Sequence, residues 1–399
     1  MSTFEIGARA GSARAGVLHT GHGDVCTPAF VPLASHATVR GLQSSEVADL
    51  GYQMVLGNTF HLFIRPGHQH IAALGGLHEF MGWSGPIITD SGGFQVFSMG
   101  HGGVAEEIKA SGGSRGKGHG GVLEITEEGV RFRSYLDGGE RFMGPETSME
   151  IQAALGSDVV LAFDECTPFH AERDYTARST ERTHRWLERC LRWRAENAAG
   201  GLFYGIVQGG TYEDLRTESA RRVAEAGVDG VAVGGSLGQG KAQIQEVVGW
   251  ALRELPPERP RHLLGIGDVD DVVAAVALGI DTFDCATPTR LARHGTALVP
   301  DPGARWRLDL ERPSEHESRE PIVAGCPCPA CTEHTRAYLH YLARAKELTA
   351  VRLLALHNLT FMRALMEALR AGIEAGDLEA RSEAILAGAS PYEMAGIGA

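Results

Sequence analysis

Residues 282–290 read TFDCATPTR. A short apolar run ends in an aspartate, and a cysteine, a proline and an arginine follow at once. A near echo, FDECTP, stands at 163–168. A strand that delivers a carboxylate at its C-terminal end, twice in one chain, fits a fold in which parallel strands aim their ends at a common site.

Outward from this stretch the same plan repeats. Short apolar runs occur at 29–33 (AFVPL), 53–57 (QMVLG), 86–89 (PIIT), 159–163 (VVLAF), 203–207 (FYGIV), 230–233 (GVAV), 262–265 (HLLG) and 281–283 (DTF). Helical spacing separates most of them, over roughly 145–155, 174–199, 211–226, 241–255 and 268–278. Pro145 and the acids beside it mark a helix start. Eight strand–helix units predict an α/β chain folded as a closed (β/α)8 TIM barrel. An open doubly wound sheet is the competitor, but no glycine-rich phosphate loop follows the first strand.

The polar residues then line up at strand ends: Asn58, Asp90, Asp164, Gln208, Gly234–Gly235 and Asp284. One such aspartate is usually a cap or turn residue. Three of them, with an amide on two further strands, predict a single pocket at the barrel mouth.

Two segments stand outside the repeat. Residues 100–121 are glycine-rich with scattered Lys and Arg and read as a mobile loop. After them VLEITEEGVRFRSYLDGGERFM alternates about a DGG turn, a β-hairpin pattern. The other segment follows the last strand. It divides the chain into a barrel body at 1–295, a metal-binding subdomain at 296–360, and a closing barrel helix with an Ala-rich tail at 361–399, the tail expected to add little.

With 399 residues, 43% hydrophobic and 22% charged, the composition is that of an ordinary globular protein. No apolar run is long enough to span a membrane. The start, MSTFEIGARAGSARAG, does not read as a signal peptide, so a cytoplasmic setting is expected. A net charge of −13 argues against a general nucleic-acid coat. It leaves room for a local basic patch, and Arg290, Arg293, Arg305, Arg307 and Arg312 crowd one stretch against Asp301, Asp309 and Glu311.

Seven cysteines, an odd number without a secretory signal, do not suggest a disulfide framework. Cys326, Cys328 and Cys331 are spaced C-x-C-x2-C, and one imidazole would complete a closed tetrahedral zinc site. His334, His340 and His357 are the candidates. Four protein ligands leave no open position, so such a zinc would be structural.

At this point the motifs GNTFHL (57–62), TDSGGFQVFS (89–98), FDECTP, GIVQGG (205–210), VAVGG (231–235), LLGIG (263–267) and FDCATPTR, together with the cysteine cluster, resemble bacterial tRNA-guanine transglycosylase over about residues 25–375. The resemblance implies a zinc-bearing barrel that exchanges the wobble guanine of queuosine-type tRNA anticodons for a 7-deazaguanine, the prequeuosine base preferred over queuine. It implies Asp284 as nucleophile and Asp90 as general acid/base. Asp164, Gln208 and Gly235 would hydrogen-bond the base, with Ser91, Asn58 and Cys166 lining the pocket and Phe94 and Leu264 covering the base faces. Arg290 and Arg293 would grip the anticodon loop. Cys326, Cys328, Cys331 and His357 would hold one structural zinc per chain, and the enzyme would be a homodimer.

The chemistry suits these residue types. Base exchange with retained configuration at the anomeric carbon takes two inversions through a carboxylate ester, with a second carboxylate moving the proton. A carboxylate at Asp164 can accept both N–H groups of the guanine edge, and the RNA must offer that base unstacked. Three positions depart from the family pattern. GGSLGQGK (234–241) is one residue shorter than usual, with Gln239 near a glutamate that senses the 7-substituent. Asp268 stands where many members carry Lys, and Phe94 where they carry Tyr. A non-catalytic tRNA-binding subunit is the rival reading, against which both Asp284 and Asp90 are retained.

Overall fold

The structure is a computed structural model that describes residues 3–100, 121–168, 170–238 and 240–396. The glycine-rich stretch within 101–120 and Gln239, both singled out above, lie outside the described residues.

Three strands that the sequence reading did not anticipate begin the chain: β1 (Phe4–Ala10), β2 (Ala13–Thr20) and β3 (Gly23–Thr27), joined antiparallel. The barrel follows with β4 (Ala29–Ala34), β5 (Val55–Gly57) and β6 (Ile87–Thr89). A detour then forms a three-stranded antiparallel sheet, β7 (Val122–Ile125), β8 (Val130–Arg133) and β9 (Glu140–Met143). The expected hairpin about Asp137–Gly139 is its β8–β9 arm, with Gly138 at φ 68° in the turn. The barrel resumes with β10 (Val159–Leu161), β11 (Leu202–Val207), β12 (Gly230–Val233), β13 (Arg261–Leu263) and β14 (Thr282–Cys285). β14 pairs in parallel with β4, and β6 with β10, so the eight strands close on themselves. All eight expected runs are barrel strands.

Val, Ile and Leu dominate these strands because both faces are covered, one by helices and one by the barrel interior. Val31, Leu56, Ile88, Leu161, Ile206 and Ala232 fill that interior. Phe4, Leu18 and Val25 belong to the same apolar cluster, so the N-terminal sheet seals the barrel's lower end. Arg14 is bolted beneath it: its guanidinium donates to both oxygens of Asp281, which precedes β14, at 2.7 and 2.5 Å. Both side chains are fully buried. Removing one partner of such a pair costs about 3–5 kcal/mol.

Helices form where caps and periodicity allow. Pro145–Leu155 starts on proline, carries Glu146 in its first turn and stops at Gly156 with φ 73°. The helix expected from 361 begins earlier. It runs unbroken as Leu348–Ala375, carrying His357 in its first half, and packs against β1, β2 and β4. The Ala-rich tail adds helices Leu378–Leu386 and Pro391–Met394, which bury Leu378, Ile385 and Tyr392 against it. Among the described residues no helix is long and apolar enough to cross a membrane.

Candidate active site

Side chains at the C-terminal ends of the strands enclose a cavity of about 290 Å³, lined by Asn58, Asp90, Ser91, Phe94, Asp164, Cys166, Gly235, Leu264, Asp284 and Arg290. Gln208 sits against it, buried and bonded to Asp164. Arg293, on the same short helix as Arg290 (Thr287–Arg293), does not line the cavity and is exposed at its rim.

Asp90 hangs from β6 among three donors. The Thr59 amide reaches Oδ1 at 2.8 Å, and Asn58 Nδ2 and Gln95 Nε2 reach Oδ2 at 2.6 and 2.9 Å. Burial nonetheless pushes its pKa up to about 7, helped by the charges of Asp284 and Asp164 and opposed by the hydrogen bonds from Thr59 and Gln95. A carboxyl poised near neutrality can both give and take a proton.

Asp164 is buried after β10. Ser91 donates to its Oδ1 at 2.7 Å and Gln208 Nε2 to its Oδ2 at 2.6 Å. Burial raises its pKa to about 6 against these two bonds. With its amide nitrogen spent on Asp164, Gln208 leaves Oε1 buried and without a partner among the described residues. Glycine is required on both sides of this pair. A Cβ on Gly93 would lie 2.4 Å from the Asp164 carbonyl oxygen, and one on Gly235, at φ 77°, would lie 2.2 Å from Gln208 Oε1.

Asp284, on β14, accepts from the Gly265 amide and faces His262 Nε2, both 3.1 Å from Oδ1. Its Oδ2 has no hydrogen-bond partner among the described residues. Cys285 is buried behind it, its thiol pKa pushed up to about 12 by desolvation and its Sγ 3.1 Å from Thr287 Oγ1.

Several contributors escaped the sequence reading. His262 lies two residues before Leu264, which follows β13 directly, and that alternate spacing in the run HLLG was the available signal. Arg216 left none. It is wholly buried without a carboxylate partner among the described residues and donates to the carbonyls of Gly210, Val207, Gly234 and Ser236 at 2.7 to 3.1 Å. Its pKa falls to about 10 through desolvation. It thereby ties together the loops after β11 and β12 that carry Gln208 and Gly235.

Around the rim, positive charges approach one another. Burial, then repulsion from Arg293 and Arg307, lowers the pKa of Arg290, and burial with Arg40 does the same to Arg293. Arg307 is partly neutralised by Asp268 at 3.0 Å. A protein of net charge −13 thus gathers Arg40, Arg290, Arg293 and Arg307 beside its cavity.

The Cys3His cluster is assembled behind the short helix Thr287–Arg293. The Sγ atoms of Cys326, Cys328 and Cys331 lie 3.6, 3.4 and 3.3 Å from His357 Nδ1. A tetrahedral zinc with ordinary Zn–S and Zn–N bonds would hold such atoms about 3.5 Å apart, so the donor set fits the ion. His357 Nε2 is 2.8 Å from the Leu298 carbonyl, to which it donates, turning Nδ1 toward the three cysteine sulfurs. His340 bonds the Leu310 carbonyl instead, and the His334 ring lies tilted against Tyr338 at 4.9 Å; neither joins the cluster.

A second group, His22, His78 and Asp158, lies under the barrel. Its imidazoles stack 3.7 Å apart and nearly parallel, and each meets its own Asp158 oxygen, at 2.7 and 3.2 Å. Parallel rings direct their lone pairs side by side and not to one point, so this is a hydrogen-bonded clamp.

The family model described as Queuine tRNA-ribosyltransferase matches residues 9–390. The chain is 48% identical over 385 residues to the Queuine tRNA-ribosyltransferase of Roseiflexus sp. (strain RS-1), covering 94% of this chain and 96% of that protein. It is 46% identical to the protein of the same name from Pelotomaculum thermopropionicum, covering 91% and 92%. A third, from Solidesulfovibrio magneticus, is 44% identical, covering 94% of each. With its closed barrel, convergent carboxylates and Cys3His cluster, this chain belongs to the queuine tRNA-ribosyltransferase family.

Proposed function

We propose that this chain exchanges the wobble guanine of queuosine-type tRNA anticodons for a 7-deazaguanine through a covalent ribosyl–Asp284 intermediate. The observation that carries the reading is the arrangement of three carboxylates about one cavity: one with an unengaged oxygen, one poised near neutral pH and one locked into a buried hydrogen-bond pair.

In the first half-reaction Asp284 Oδ2 bonds to the anomeric carbon as the bond to guanine N9 breaks. The leaving base takes its proton from Asp90. In the second half the incoming base gives a proton to Asp90 and displaces the Asp284 ester, so configuration is retained over two inversions. Asp164 accepts the N–H pair of the base edge once the base displaces the Gln208 amide, which then turns to donate to the base carbonyl. Phe94 and Leu264 supply the apolar faces. Buried polar groups left unpaired by a wrong base make the selection steep.

The prequeuosine base is the preferred incoming base, a preference supported by Cys166 in the pocket wall. Arg290 and Arg293 contact the anticodon loop, supported by the clustered arginines at the rim. Cys326, Cys328, Cys331 and His357 hold a structural zinc, which fixes the end of the chain and takes no part in proton or sugar chemistry. A homodimer is supported by the exposed apolar surface of Tyr338, Tyr341 and Leu348. Seven unpaired cysteines suit a reducing, cytoplasmic setting.

The test is release of labelled guanine from a pre-labelled, unmodified queuosine-type tRNA on addition of free base. Release that requires added base, and vanishes in Asp284→Ala, is expected. Undiminished exchange in that variant overturns the assignment. Competition between the prequeuosine base and queuine in the same assay decides the preference.

A further inference from the structure

We propose that His262 is a positioning residue for the nucleophile, holding one oxygen of Asp284 so that the other faces the sugar. The inference rests on the reading of Asp284 as the attacking carboxylate.

His262 is completely buried on β13, paired in register with Thr282 of β14. Its Nδ1 lies 2.8 Å from Thr282 Oγ1 and its Nε2 lies 3.1 Å from Asp284 Oδ1. Of the two neutral tautomers, the one bare at Nε2 would set a lone pair against a carboxylate oxygen. The tautomer protonated at Nε2 instead donates to Oδ1 and accepts the Thr282 hydroxyl proton at Nδ1. Thr282 thus sets the ring and the ring sets the carboxylate. The Gly265 amide donates to the same Oδ1 from 3.1 Å. Both donors converge on one oxygen, and Oδ2 is left for the cavity.

This asymmetry serves both halves of the exchange. As a nucleophile, Asp284 must present Oδ2 without first breaking a hydrogen bond to it. In the ester, Oδ1 is the carbonyl oxygen. When the C1′–Oδ2 bond breaks, its electron pair returns to the carboxylate, and two N–H donors on Oδ1 stabilise the charge that develops there. A histidine that only filled space between β13 and β14 would need neither the Thr282 contact nor the Asp284 contact.

The experiment is steady-state guanine exchange with the full chain, comparing wild type, His262→Leu and His262→Gln. Leu removes the donor, and Gln keeps an N–H near the position of Nε2. The expected result for His262→Leu is a kcat about 100-fold lower, the typical loss for one such donor, with KM for tRNA and for guanine within about twofold. His262→Gln should recover at least about tenfold of that loss. Absence of exchange by the wild-type chain overturns the parent reading and the proposal together. Wild-type exchange with undiminished kcat in His262→Leu overturns the proposal alone. Equal losses in folded Leu and Gln variants overturn it too, since packing would then explain the effect. Circular dichroism and the melting curve report folding. If Leu does not fold, His262→Phe, which fills the volume of the ring, takes its place in the comparison.

Discussion

Asn358 Nδ2 donates to the carbonyl of Pro288 at 2.9 Å, joining the residue after His357 of the Cys3His cluster to the residue four beyond Asp284. The same amide reaches the Thr296 carbonyl at 3.1 Å, and its Oδ1 accepts the Leu298 amide at 2.7 Å. Asn358 is fully buried. One side chain therefore fastens the Cys3His helix to the short helix that follows Asp284.

Replacing Asn358 with Leu leaves two carbonyls and one amide buried without partners. At about 1–3 kcal/mol for each unsatisfied group, the expected outcome is a melting temperature lower by many degrees and a reduced kcat. Thermal denaturation beside the exchange assay checks this. Unchanged values in both would mean that Asp284 and the helix carrying His357 are not linked through this residue.

Arg216 should tolerate no shortening. Arg216→Met keeps the apolar stem but strips the loop carbonyls of Gly210, Gly234 and Ser236 of their donor, so the Gln208 and Gly235 loops lose their common anchor. A raised KM for guanine is expected, with KM for tRNA much less affected. Base-binding kinetics in the folded variant decide it, and an unaltered guanine KM would remove Arg216 from the pocket's support.

The pH dependence follows from Asp90. Its folded pKa, about 7, lies above the 3.8 of a free carboxyl. Its contribution to stability is therefore fully present below about pH 4 and lost as pH rises through 7. Asp90→Asn should melt higher than wild type at pH 8, by a margin that shrinks as pH falls toward 5. The same variant should lose exchange. In wild type, the single-turnover release of guanine needs the protonated acid and should slow as pH rises through about 7. A melting difference that grows toward acid pH would contradict the assigned shift.

Arg293→Ala tests the basic rim without touching the cavity. Its removal should raise KM for tRNA, leave KM for guanine alone and lower the salt slope of tRNA binding by about one. Binding measured across a salt series is the check, and an unaltered slope would place the RNA elsewhere.

The (β/α)8 order was legible because each strand is a continuous apolar run bounded by helical spacing, a local property of the chain. The strand-end carboxylates were legible for the same reason, since Asp90, Asp164 and Asp284 each follow directly on such a run. The spacing of Cys326, Cys328 and Cys331 announced a cluster able to hold a metal, although the histidine partner stayed open among three until the resemblance, and then the geometry, singled out His357. The N-terminal sheet was not legible. Its residues, GARAGSARAG, are small or charged and carry little strand signal, and they pair because the barrel's open end offers Phe4, Leu18 and Val25 a place to bury.

By itself, then, the sequence determined the barrel, the three carboxylates and the family, through patterns that span a few residues each. Only the tertiary structure decided how those carboxylates differ. His262 meets Asp284 across two strands, Gln208 meets Asp164 across two more, and Arg216 and Asn358 bind loops that are distant in the chain. Burial and donor placement set which carboxyl rests near neutrality and which oxygen stays unengaged, and both arise only when the strands close into a ring.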